Sequence, residues 1–253
     1  AAPSSNFPLN AGAMYTPSGG LFSATNFPLV TYIFFAYGLM GNQAHLLAPQ
    51  LPAWVMKDRF DIQARAAGNP GKDEMRLMMR SLLADRFKLA VHTEMREIPV
   101  FAFVLVKPGR AGPQLQPHPA GAPCETNVPP LAAPGNNAAL CNTILGVPPS
   151  VPGRSRLAGR NVTIAYVADM FSQRVDRGRP MIDATGLTGT FDFVLEFTPA
   201  PPGRAAPEAN TGPDAEGPTF DEALRDQLGF RMESRRSSMN VMVLDRIEHP
   251  SEN

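Results

Sequence analysis

The chain has 253 residues, enough for one large domain or for two small ones with cores of their own. Lys and Arg together number 23, as do Asp and Glu, so no net field draws the chain to nucleic acid or an anionic membrane, and nucleic acid is not an expected partner. A hydrophobic fraction of 43% and a charged fraction of 18% fit a globular core, whereas 27 prolines and 21 glycines exceed what such a core needs and point to linkers.

Residues 1–18 read as an N-terminal tail. The chain opens at Ala1 without a charged and apolar leader, which leads to the expectation that an export signal has been removed. Residues 20–26 read as a short strand ending at Asn26, which is expected to cap the following helix. Pro28 suits the first helical position, and Leu29, Ile33, Ala36 and Tyr37 form an apolar face at helical spacing. The apolar stretch from Phe27 to Met40 is shorter than the roughly 20 residues that cross a bilayer. It predicts a buried helix and no transmembrane segment. An alternating strand follows over residues 59–64, with Phe60, Asp61 and Ile62 at its centre. Residues 73–85 predict a second helix with Met75, Met78, Met79, Leu82 and Leu83 on one side; methionine at this spacing fills a core or forms an adaptable binding surface. Residues 87–92 and 100–106 are expected to pair as a hairpin.

Residues 108–153 are nearly free of charge and dense in Pro, Gly and Ala, so they read as a linker. Within them Cys124 and Cys141, the only cysteines of the chain, are expected to form a disulfide of the kind made in oxidising compartments. Zinc would need more ligands nearby, and no metal is expected. The earlier order then returns. A strand over 156–161 ends at Asn161; a helix follows with Ile164, Val167, Ala168 and Phe171 on one face; a strand over 190–197 carries Phe191, Asp192 and Phe193. After a Pro-rich loop at 199–218, a helix over 219–228 opens on a Thr219–Glu222 capping box and stops at Gly229. A hairpin of 230–234 with 240–247 is expected to close the chain. The fold class is therefore α+β, a tandem duplication of a strand-helix-strand-helix-strand-strand module. The modules are placed at 19–107 and 154–253.

Phe22-Ser23-Ala24-Thr25-Asn26, Asp58-Arg59-Phe60-Asp61, Leu82 to Leu89, Asp183 to Asp192 and the terminal His249-Pro250-Ser251-Glu252-Asn253 resemble the soil-associated Acidobacterial family known as domain of unknown function 3738. That family implies no activity or catalytic residue. Each half is more distantly similar to the short N-terminal domain of secretins and TonB-dependent receptors, which implies contact with other envelope proteins rather than chemistry. Members of the Acidobacterial family usually carry one more strand before the Gly19-Gly20 pair. This chain shows no such strand, which predicts an open sheet edge in the first module. The edge is expected to accept an extended segment of another chain, with the Ala1 to Pro17 tail and the linkers as donors.

No catalytic signature stands out. His45, His92, His118 and His249 form no metal-binding pair, and a hydrolase elbow, a P-loop and a dinucleotide fingerprint are all lacking, so no cofactor is expected. Asn161-Val162-Thr163 matches a glycosylation sequon but reads more simply as a helix start. Asp61 and Asp192 hold equivalent strand positions, where an Asp between apolar residues belongs on the solvated face. The expected function is that of an exported, secreted or periplasmic or cell-surface, non-catalytic interaction or assembly protein, partnered by itself in an oligomer or filament or by another envelope protein. One alternative is an extracellular polymer hydrolase using Asp61, Asp192 or Glu196 in a cleft between the modules. The other is a ligand-sensing ectodomain.

Overall fold

The computed structural model describes residues 2–9, 18–121, 141–174, 179–199 and 217–250. The fold is α+β, and the chain divides into two compact units. The first runs to Ile98 and takes in the residues from Ser237 onward; the second spans Pro99–Arg236. This differs from the expected boundaries at 107 and 154, because the chain end returns to the first unit.

The first unit opens with β1 (Ser4–Ser5), a strand that periodicity could not announce because it has two residues. It pairs antiparallel with β2 (Leu21–Pro28), Ser4 opposite Thr25 and Ser5 opposite Ala24. The Asn6 side chain continues the ladder: its Oδ1 accepts from Ser23 N–H at 2.8 Å and its Nδ2 donates to the Leu21 carbonyl at 3.0 Å. Phe7 follows at 1% exposure, its ring 5.8 Å from Phe35 and 6.2 Å from Phe22. The first residues are thus no free tail. They cover the outer edge of β2 in their own unit, which corrects the expectation that this edge is open and that the segment is donated elsewhere.

After β2 come α1 (Leu29–Tyr37), α2 (Gly41–Leu47), α3 (Ala53–Lys57), β3 (Arg59–Arg65) and α4 (Lys72–Phe87). β3 pairs with β2, so the sheet runs β1-β2-β3. Leu29, Tyr32, Ile33, Phe35 and Ala36 of α1 are all fully buried, so apolar residues surround most of this helix, as befits one enclosed by its unit. On α4, Met75, Met79, Leu83 and Phe87 recur at turns of the helix and enter the same core.

β4 (Ala90–Leu105) and β10 (Phe230–Arg246) replace both expected hairpins. Each is one continuous strand, and they pair with one another. The polar runs around Glu94-Met95-Arg96 and Ser234-Arg235-Arg236 looked like turns, yet they lack the Gly or Asn that tight turns require. They are exposed strand.

The second unit adds β5 (Leu115–Pro117), β6 (Thr143–Val147), β7 (Ser155–Val162), α5 (Ile164–Arg174), β8 (Met181–Asp183), β9 (Phe191–Phe197) and α6 (Phe220–Ala223). α6 widens into a π turn over Leu224–Leu228 and stops at Gly229, whose φ is 78°. The predicted capping box is present, with Thr219 Oγ1 accepting from Glu222 N–H at 3.1 Å and Glu222 Oε2 accepting from Thr219 N–H at 2.8 Å. The antiparallel sheet has the order β5-β9-β7-β6, and β8 pairs parallel with β4. The expected linker therefore supplies both edge strands of this sheet. Leu115 and Ile144 are 2% and 3% exposed; the first is a lone apolar anchor between glutamines and the second belongs to the short apolar run Ile144-Leu145-Gly146-Val147. Gly112 is fixed as well, since a Cβ there would lie 2.4 Å from the Gln227 carbonyl oxygen. Most of the expected loop at 199–218 lies outside the described residues.

Phe7→Ala is expected to lower stability by about 3 kcal/mol, the usual loss for an emptied aromatic site, measured by urea unfolding. Unchanged stability would mean that the first residues are not part of the core.

Candidate functional site

The two strand aspartates occupy the same kind of place. In the first unit the β2–β3 register passes from Ala24 opposite Ile62 to Phe27 opposite Phe60, leaving a bulge at Thr25 and Asn26. In the second, β7–β9 passes from Gly159 opposite Phe193 to Val162 opposite Phe191, with the bulge at Arg160 and Asn161. Asn26 and Asn161 have φ of 60° and 53°, the left-handed region that Asn tolerates better than most residues. A bulge takes its extra residue out of the ladder, and an N–H there needs another acceptor. Asp61 Oδ1 accepts from Asn26 N–H at 2.7 Å, and Asp192 Oδ1 accepts from Asn161 N–H at 2.8 Å.

The asparagines therefore turn the bulge rather than cap the helix. Pro28 is the N-cap of α1 and makes no side-chain bond there, while Thr163 Oγ1 accepts from Tyr166 N–H at 3.2 Å at the start of α5. The sequon asparagine is engaged in the same way, its Nδ2 donating to Asn142 Oδ1 at 3.0 Å.

Each unit reinforces its bulge differently. In the first, the buried Tyr32 hydroxyl donates to the Phe60 carbonyl at 2.8 Å; burial, with the Asp61 charge, pushes its pKa up to about 12. In the second, His118 Nδ1 bonds Asp192 Oδ1 at 2.8 Å, with the ring only 7% exposed. Gly159 is required there, because a Cβ would come within 2.3 Å of the Phe193 ring. Sequence reasoning missed His118, which lies 74 positions from Asp192 within the supposed linker.

A cleft of about 320 Å³ opens beside this tie, bordered by Gln114, Gln116, Arg160 and Asp192 over Ala158 and Val194. By strand alternation Asp192 and Val194 lie on the sheet face turned away from the buried Phe193 and Leu195. The cleft offers amide, guanidinium and carboxylate groups suited to a polar ligand, but Asp192 already serves two donors.

Glu196, the third suspected carboxylate, is 9% exposed. Its oxygens accept from Ser150 N–H at 3.0 Å and Ser150 Oγ at 2.6 Å, with Arg154 at 3.6 Å and Arg156 at 3.7 Å. Gln227 binds both its backbone groups, at 2.9 and 2.7 Å. Burial opposes ionisation, but the two Ser150 bonds and then Arg156 and Arg154 outweigh it and hold the carboxyl below its ordinary value of 4.5.

The remaining candidates are dispersed. His92 Nδ1 lies 2.7 Å from Asp245 Oδ1 on an exposed surface, His249 stacks on Trp54 at 3.9 Å, and His45 is in the last turn of α2. Met75 and Met79 are core at 4% exposure each, whereas Met78 is 39% exposed. Lys72 is buried at the start of α4, where burial and Arg76 push its pKa down to about 8. Cys124 lies outside the described residues, and the Cys124–Cys141 pairing with it. Among the described residues no group of three or more His, Cys, Asp or Glu side chains converges to hold a metal, and no helix is long and apolar enough to cross a membrane.

Two sheet-and-helix units, each with a strand bulge tied by its own aspartate, define an α+β protein. The chain belongs to the family described as a protein of unknown function, DUF3738, which matches residues 30–247. No curated protein and no solved structure matches it.

Asp192→Ala leaves a part-buried bulge N–H without its acceptor and is expected to cost about 2 kcal/mol in urea unfolding, and Asp61→Ala, at an exposed bulge, about 1 kcal/mol. Stability equal to wild type in both variants would refute the structural assignment. Because the Glu196 carboxyl is depressed in the fold, its contribution is present above about pH 4.5 and is lost as pH falls through the lower folded value. Glu196→Gln is expected to flatten that acid limb of the stability curve; an unchanged limb would mean that Glu196 is not coupled to folding.

Proposed function

We propose that this chain is an exported, non-catalytic interaction or assembly protein of the cell envelope or extracellular space. The observation that carries the reading is an apolar slot of about 150 Å³ between β3 and α4, lined by Phe22, Ala64, Met75, Met78, Met79 and Leu82. It adjoins β3, the last strand of its sheet among the described residues. Edge strands take extended partners through backbone bonds, and unbranched methionines adapt to the side chains that arrive with them. The carboxylates offer no competing chemistry, since Asp61, Asp192 and Glu196 are engaged by the backbone, His118, Ser150 and arginines.

Other observations lean the same way. The recurrence of one bulge with one Asp–Asn tie supports a tandem duplication of an ancestral module. The resemblance of each half to the short N-terminal domain of secretins and TonB-dependent receptors implies contact with other envelope proteins. An Acidobacterial origin and a Cys124–Cys141 disulfide belong to the same reading, the latter because such a bond persists in oxidising compartments. The cleft beside Asp192 favours one second reading, a hydrolase of extracellular polymers.

Light scattering of the mature chain, with cross-linking in envelope fractions, is expected to reveal self-association or a defined envelope partner. A strictly monomeric protein that cross-links to nothing would overturn the proposal. In a screen of extracellular polymers no turnover is expected; turnover abolished by Asp192→Asn would move the reading to the hydrolase.

A further inference from the structure

The outer edge of β3, unpaired among the described residues, has a definite phase. Ala66 N–H donates to the Gly20 carbonyl at 2.8 Å, with Ala64 opposite Phe22 and Ile62 opposite Ala24. Backbone groups in an antiparallel pair face the neighbour at every second residue. Ile62, Ala64 and Ala66 thus turn theirs toward β2, and Asp61, Gln63 and Arg65 turn theirs outward. The side chains alternate in the same rhythm: Arg59, Asp61, Gln63 and Arg65 are exposed, while Phe60, Ile62 and Ala64 lie on the core side.

We infer that this edge pairs with the β3 edge of a second copy of the chain, antiparallel and with Gln63 opposite Gln63. The inference rests on the interaction reading above and specifies its partner. Charge selects both partner and register. With Gln63 at the two-fold axis, Asp61 of each copy faces Arg65 of the other, so both crossings match opposite charges, and Ile62 faces Ala64 on the core side. Moving the axis to Ile62 sets Arg59 against Arg65, and moving it to Asp61 sets two carboxylates together; both oppose like charges, which destabilises a sheet pair. Asp61 has room for the contact, since its Oδ1 holds Asn26 N–H and its second oxygen has lone pairs of its own.

Helix α4 adds an apolar contribution beside the edge. Arg80 occupies one flank, donating to the Ala36 carbonyl at 2.8 Å and covering the Tyr37 ring. Helical spacing places Met78 and Leu82 on the other flank, where they line the slot with Ala64 and Ala66. A two-fold axis through Gln63 brings this flank of each helix to the same side of the joined sheet, which accounts for a methionine that is 39% exposed. Such an interface is isologous and closes as a dimer rather than growing into a filament.

The test is sedimentation equilibrium of the full chain from 1 to 100 μM, chosen as about the range of transient self-association, with hydrogen exchange read at the Gln63 and Arg65 amides. The wild type is expected to dimerise, and both amides to slow as the dimer fills. Arg65→Glu opposes carboxylates at both crossings, and Gln63→Pro removes an outward N–H without breaking a β2 bond; each is expected to weaken the dimer at least tenfold while circular dichroism stays unchanged. Lys107→Glu, the same charge change in the second unit, is expected to leave it intact. A monomer throughout the range, amide exchange independent of concentration, or a dimer indifferent to both variants would overturn the inference. An oligomer that survives both variants would leave the interaction reading standing and remove only this interface.

Discussion

One hydrogen bond in each unit sets the path of the chain: an aspartate on one strand accepts the N–H of a left-handed asparagine on its neighbour. At that asparagine the strand bulges out of its ladder, pairing resumes at Phe27 or Val162, and the helix that begins two residues later buries its apolar face in the core of the same unit. Without the carboxylate the part-buried bulge N–H of Asn161 would be a lone donor, whereas the exposed N–H of Asn26 would turn to water at smaller cost. The tie explains why an Asp stands between two apolar residues in both strands, Phe60 and Ile62 in one and Phe191 and Phe193 in the other. Those neighbours feed the core, and the Asp between them holds the crossing from outside.

This constraint also decides between functional readings. An acid or base needs a free proton position near a substrate, and a carboxylate that stabilises its own backbone in the folded state is poorly placed to offer one. Asp192 comes nearest, because it borders a cleft and contacts His118, yet its Oδ1 already serves both the ring and the Asn161 N–H. Among the described residues, the outward edge of β3 and the methionine flank of α4 form a surface that pairs with no other strand. It is there that the proposed function and the paired-edge interface are placed.

Much of the fold was legible. Helices at 29–37 and 219–228, the alternating strands around Asp61 and Asp192, and the capping box at Thr219 all follow from periodicity and cap chemistry, which act over a few residues. What was not legible depends on partners far away in sequence. Leu115 and Ile144 become sheet edges only because β9 and β7 are there to receive them; in sequence Leu115 stands alone between glutamines, and Ile144 opens a run of only four residues inside a Pro- and Gly-rich segment. Ser4 and Ser5 form a strand because β2 offers an edge and Phe7 finds a pocket, and two residues carry no period. The long strands β4 and β10 were misread because exposed strand is as polar as turn, and only the missing Gly or Asn separates the two. At the site, the equivalence of Asp61 and Asp192 was visible from their matching neighbours, but their common task was not. That task needed the register of the opposing strand, and His118 needed the whole second unit.

The most direct test of the account is amide hydrogen exchange at Asn26 and Asn161 in the wild-type chain. Neither amide takes part in regular strand pairing at its bulge, so a loop-like bulge would let both exchange at the rate of exposed backbone. If each is held by its aspartate, both are protected as strongly as the strand residues beside them. Fast exchange at both positions would contradict the account.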